Sequence, residues 1–224
     1  MANKSSPAIN PVLAWLFGGT AFVTLIFYTS ASDPFNAVKF WALLLVGSFL
    51  IGRITSNIWS DLRAGRVSRF EKVSLLLVGI FLLALLIDLL TTDVKFTGLF
   101  GAYQRRTGLL AYLGFAILFV AAVKLTKLES VRTLQAVIFG TSTLMTVYGL
   151  LQHFHQDFVK WNNPYNPILT TLGNPDFSSA VLGIFVVSAF GLFMNFEVSK
   201  LNRFASAGIG ILMLIVIKLS LIHI

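Results

Sequence analysis

An all-α, polytopic transmembrane bundle of about seven spans is the fold class this sequence predicts. Three observations carry the prediction. Hydrophobic residues make up 56% of the 224-residue chain and charged residues only 12%, whereas a soluble domain holds roughly 45–50% and about 25%. The mean hydropathy is +0.83. The apolar residues fall in runs of roughly 15 to 20 between short polar pieces, and about 20 such residues cross the ~30 Å hydrocarbon layer.

The elements follow in chain order. Met1–Asn10 is a polar start carrying Lys4, and Pro11–Thr29 is the first span. That run exceeds a signal-peptide core and reads as a retained anchor. Ser30–Asn36 forms a tight outer turn in which Asp33, before Pro34, is placed to cap the next helix. Ala37–Gly52 is the second span, with Lys39 at its outer end. In the polar loop Arg53–Lys72, the apolar positions Ile54, Ile58, Trp59 and Leu62 recur at helical spacing. They predict a short amphipathic helix lying in the headgroups.

Val73–Leu90 is the third span, with Asp88 about one turn from water. Thr91–Thr107 is an outer loop, and Gly108–Val123 is the fourth span. After the inner loop Lys124–Arg132 comes the fifth span, Thr133–Gln152, rich in Gly, Thr and Ser that allow close helix packing. His153–Asp176 is the longest outer loop, Phe177–Met194 the sixth span, and Asn195–Arg203 an inner loop. Phe204–Ile217 is a seventh run of about 14 residues, short for a crossing. Residues 1–217 read as one transmembrane domain. The ending Leu219–Ile224, LSLIHI, resembles sequencing-adapter read-through. Residues 218–224 are therefore set apart as a candidate non-native tail, with the chain expected to be the N-terminal part of a longer protein.

Charge sets the expected orientation. Of the 17 lysines and arginines, 11 fall in the inner pieces and 5 (Lys39, Lys95, Arg105, Arg106 and Lys160) in the outer ones. Basic residues concentrate on the cytoplasmic side, so the N-terminus is expected in the cytoplasm. Tyr103, Tyr112, Trp161 and Tyr165 then form an outer aromatic belt. The net charge of +8 is scattered through short loops. Topology accounts for it, and no nucleic-acid partner is expected. With no cysteine, disulfide and thiol chemistry are excluded. His153 and His155 have Asp157 nearby, but the third histidine is distant His223, and no metal site is expected. Phosphate-loop, dinucleotide and metalloprotease motifs are absent.

Two stretches remain. Phe100–Leu113, FGAYQRRTGLLAYL, places Arg105 and Arg106 before the fourth span, on the face where basic residues are scarce. Two planar guanidinium forks at a helix N-terminus suit an anion, phosphate above all. They equally suit snorkelling to lipid phosphates. Thr170–Phe177, TTLGNPDF, combines Gly173 for a bend, Asn174 as cap, Pro175 at a helix start and Asp176 in the first turn. Its apolar approach from Ile168 can dip back towards the membrane. Non-helical backbone there must be buried in protein or line a cavity.

Taken together, Gly101–Leu113 (GAYQRRTGLLAYL), Leu150–Phe154 (LLQHF) and Thr171–Phe177 (TLGNPDF) resemble, in order and spacing, the bacterial O-antigen ligase and O-antigen polymerase family. The turn from Asp33-Pro34 to Lys39 is similar to a feature near the start of such proteins, and the resemblance covers roughly Asp33 to Gly183. It implies a GT-C-like multi-pass glycosyltransferase of the bacterial inner membrane. Such an enzyme moves a glycan from undecaprenyl pyrophosphate to a hydroxyl on lipid A core, a growing glycan or a protein, on the periplasmic face, with no cofactor or metal. It makes Arg105, in the R-x-x-G position, and Arg106 the candidate pyrophosphate ligands. Gly108, Gly173, Asn174, Asp176 and Asp33 become residues that shape the site. No catalytic base is assigned. Relatives carry further arginines and a histidine in a later outer loop, and often an arginine before TLGNPDF where Asn163–Thr171 has none. The alternative reading is a transporter or flippase for a lipid-linked or small anionic solute. Transporters more often show paired discontinuous helices in internal repeats, and no such repeat stands out.

Overall fold

The computed structural model describes residues 11–123, 128–161 and 168–221. The polar start, Lys124, Lys127, Tyr165 and the end of the tail with His223 lie outside them. Among the described residues the secondary structure is entirely helical: α1 (Pro11–Leu13), a π turn (Ala14–Gly18), α2 (Gly19–Leu25), α3 (Asn36–Arg63), α4 (Arg69–Thr91), α5 (Lys95–Phe100), α6 (Leu109–Val123), α7 (Leu128–His153), α8 (Pro175–Met194) and α9 (Lys200–Leu221). Five segments are long and apolar enough to cross a membrane: Asn36–Arg63, Arg69–Thr91, Val131–His153, Pro175–Met194 and Lys200–Ser220. Two shorter apolar segments, Ala14–Leu25 and Leu109–Val123, accompany them. The molecule is a multi-pass helical membrane protein.

Several boundaries differ from the sequence expectation. The first run ends at Leu25, and a π turn interrupts it where Thr20 Oγ1 donates to Leu16 O (2.8 Å) and Phe17 O (2.9 Å). The predicted amphipathic helix is not separate, because α3 continues from the second span through Ile54, Ile58, Trp59 and Leu62 to Arg63. Gly52 alone, costing about 1 kcal/mol, does not break a helix of this length. The stop comes at Gly65 (φ +67). Gly65 N–H donates to Leu62 O and Arg66 N–H to Asp61 O, the paired closure of a Schellman motif. A capping box starts α4, with Ser68 Oγ accepting from Glu71 N (3.2 Å) and Glu71 Oε2 accepting from Ser68 N (2.8 Å). The seventh run is not short. It begins upstream, at Lys200, and extends to Leu221 within a single helix.

The chain divides into two compact units, Met1–Thr20 with Phe40–Ser130, and Ala21–Lys39 with Val131–Ile224. In the first unit, small residues let helices approach. A Cβ on Gly19 would lie 2.5 Å from Val46 Cγ1, and one on Gly114 would lie 2.8 Å from Leu43 Cγ. By contrast α4 buries only Ser74, so its apolar surface is left for lipid. Asp88 is exposed on that helix. In the second unit, Met145, Ile168, Leu182, Ile209, Met213 and Val216 bring α7, α8 and α9 round one core.

Candidate functional site

The arginine stretch is a closed loop between α5 and α6. Gly101 (φ +81) ends α5, and Gly108 precedes α6. Their backbones touch. A Cβ on Gly108 would collide with Gly101 N and sit 2.5 Å from Leu99 O, and one on Gly101 would collide with Thr107 N. Glycine is thus required at both ends. Between them Arg105 N–H and Arg106 N–H both donate to Ala102 O at 2.9 Å. Arg106 takes the left-handed conformation, φ +52, which costs a non-glycine residue about 1 kcal/mol or more. Its guanidinium carbon sits 5.1 Å above the Tyr103 ring.

One side-chain donor of this loop is left over. Arg106 Nε is buried without a hydrogen-bond partner, one of two such side-chain atoms among the described residues, with Ser179 Oγ. Arg105 is exposed. Among the described residues, the one ion pair within 4 Å is Arg66–Asp61, so neither Arg105 nor Arg106 is neutralised by a carboxylate.

The second stretch is built in the opposite sense. Non-helical Ile168–Thr171 is buried, with Thr170 fully so and at φ +46. The side chain of Gln152, only 2% exposed, holds it. Gln152 Oε1 accepts from Leu169 N (2.9 Å) and Thr170 N (2.8 Å), while its Nε2 donates to Asp157 Oδ2 (3.0 Å). Asp157 also accepts from Tyr148 OH (3.2 Å), Trp161 Nε1 (2.9 Å) and Val159 N (2.9 Å). Deeper in, Ser178 Oγ lies 2.6 Å from Thr170 Oγ1, 2.8 Å from Asn174 O and 3.0 Å from Leu169 O. The amides of Leu169 and Thr170 and the hydroxyls of Thr170 and Thr171 are thus answered inside the protein.

The expected helix entry is present. Gly173 has φ +75, and a Cβ there would run into the Phe35 ring. Asn174 Oδ1 accepts from Asp176 N (2.8 Å) and Phe177 N (3.4 Å), Pro175 opens α8, and Asp176 stands exposed in its first turn. Asp33 also behaves as a cap. It is buried, and its carboxylate accepts from Asn36 N (2.9 Å) and Ala37 N (3.2 Å) at the start of α3. Lys39, expected at the outer end of the second span, is engaged within the protein. Its Nζ donates to Val23 O, Thr24 O and Ile26 O at 2.7–3.0 Å, closing the open end of α2, and Thr171 Oγ1 joins at Thr24 O (3.1 Å).

Comparison of the chain with protein-family models, curated proteins and solved structures finds no match. The site must therefore be read from its own geometry. Asp33, Gly173 and Asn174 all belong to the second unit, where the Asp33 carboxylate accepts from Phe35 N and the Phe35 ring faces Gly173. Arg105, Arg106 and Gly108 form the loop of the first unit. Sequence reasoning missed Gln152 and Asp157 as organising groups. The signal was available, since a glutamine at the end of an apolar span and a carboxylate five residues on both need partners. His153 ends α7, and exposed His155, at φ +58, shapes the turn that follows.

Proposed function

We propose that Arg105 and Arg106 bind the pyrophosphate of a lipid-linked glycan, and that the chain belongs to a bacterial inner-membrane glycosyltransferase of the O-antigen ligase and polymerase type, with a GT-C architecture and a cytoplasmic N-terminus. The observation that carries the reading is the buried, unpartnered Nε of Arg106 inside a strained loop clasped by two glycines. Strain and an unmet donor each cost stability, and they persist where a ligand repays them.

The chemistry fits the donor. When the oxygen of an acceptor hydroxyl on lipid A core, a glycan or a protein bonds to the anomeric carbon, the C–O bond to the pyrophosphate breaks, the hydroxyl proton is released, and negative charge builds on the departing phosphate. The Arg106 guanidinium, held over Tyr103, and the exposed Arg105 beside it stabilise that charge more than the ground state. Tyr103 holds the Arg106 plane, so less side-chain freedom is lost on binding. In this reading the buried Gln152 loop serves as scaffold, its Leu169 and Thr170 amides held by Gln152. The test is donor cross-linking in membranes, using a photoreactive undecaprenyl pyrophosphate glycan. Wild-type chain is labelled, and Arg105→Ala and Arg106→Ala insert normally but lose labelling. Full labelling of both variants would sink the assignment.

A further inference from the structure

A second polar site lies at the other end of the second unit. A half-open cleft of about 440 Å³ is lined by Arg132, Gln135, Asn195, Glu197, Asn202 and Ser206, with Phe139, Leu192 and Val198 forming its apolar wall. Its position follows from chain direction. Arg132 stands at the start of the Val131–His153 segment, Asn195 directly follows Pro175–Met194, and Asn202 lies in the first turn of Lys200–Ser220. Three membrane-crossing helices therefore end at this cleft, at the level where hydrocarbon meets water.

The cleft is held open by its own loop. Arg203 donates from Nε to Phe193 O (2.7 Å) and lies 4.0 Å from the centre of the Phe196 ring. Asn195 Oδ1 accepts from Glu197 N (3.0 Å), and Ser206 Oγ donates to Arg203 O (2.7 Å). Arg132 and Glu197 line the same space yet form no ion pair with each other within 4 Å. A cation and an anion kept apart over an apolar wall complement a molecule with both charges and a greasy tail.

We propose that this cleft binds a phospholipid whose headgroup carries a phosphate and a primary ammonium, the phosphoethanolamine type. The phosphate oxygens accept from the Arg132 guanidinium fork, with the amides of Gln135 and Asn202 beside it. The ammonium donates to the Glu197 carboxylate. The acyl chains run along Phe139 and Leu192 into the hydrocarbon layer. The site is independent of the glycan-donor reading. It holds for any activity of the chain.

Native mass spectrometry of the intact chain, released from micelles containing equal amounts of phosphatidylethanolamine, phosphatidylglycerol and phosphatidylcholine with matched acyl chains, reads the preference directly. The wild type retains phosphatidylethanolamine about fivefold over either competitor, because only that headgroup offers both a phosphate and N–H donors. Glu197→Gln removes the advantage over phosphatidylglycerol and phosphatidylcholine. Arg132→Gln lowers retention of all three. Both side chains are solvent-exposed, and equal melting temperatures confirm that the variants fold. Equal retention of the three lipids by the wild type, or a preference that survives both substitutions, overturns the proposal.

Discussion

The arginine loop Gly101–Gly108 and the buried loop Ile168–Asn174 solve the same problem with opposite results. Each is non-helical backbone between apolar helices, each relies on glycine at positive φ, and each places a non-glycine residue, Arg106 or Thr170, in the left-handed region. The buried loop answers its polar groups within the protein, through Gln152, Ser178 and Thr24. The arginine loop leaves a buried guanidinium nitrogen unanswered. We read the buried loop as scaffold and the arginine loop as the proposed ligand site, where an unmet donor coincides with backbone strain.

The contrast breaks most sharply at the scaffold. Gly173→Ala forces a Cβ into Phe35 at a positive φ, so a loss of more than about 2 kcal/mol and poor membrane yield are expected, read by thermal unfolding in nanodiscs. Next comes Gln152→Ala. It strands Leu169 N and Thr170 N in a buried site, costing about 2–4 kcal/mol. A stability change below about 0.5 kcal/mol would show that water replaces the side chain. Asn174→Ala is milder, about 1 kcal/mol, because it removes one helix cap at an exposed entry. Smallest in stability is Arg106→Gly. It relieves the left-handed strain, and the melting temperature should hold or rise slightly, while donor labelling is lost.

The helical membrane fold was legible from apolar run length, since hydrocarbon thickness fixes the scale of a span. Local turn chemistry was equally legible, and Asp33, Gly173, Asn174 and Pro175 stand in the roles their residue types suggest. Helix ends were less so. Separating Ile54–Leu62 from the second span relied on a change of polarity at Arg53, but backbone hydrogen bonding continues through polar residues until a stop such as Gly65. The seventh helix looked short for the same reason, because Lys200–Arg203 is polar yet helical. Lys39 was read by charge alone. Its real partners are three carbonyls from 13 to 16 residues away, and long-range pairing of that kind leaves no local pattern. Gln152 belongs to the same class, since it gains its meaning only when Leu169 and Thr170 fold onto it.

The most direct test sets the two loops side by side. Donor affinity and melting temperature are measured for the wild type, Arg106→Gly and Gln152→Ala, with undecaprenyl pyrophosphate as ligand in nanodiscs. The expected result is a crossed pattern. Arg106→Gly weakens binding about tenfold or more at unchanged melting temperature, as the loss of a charge-assisted contact requires. Gln152→Ala lowers the melting temperature and leaves the affinity of the folded fraction near the wild-type value. Wild-type affinity in Arg106→Gly would contradict the account.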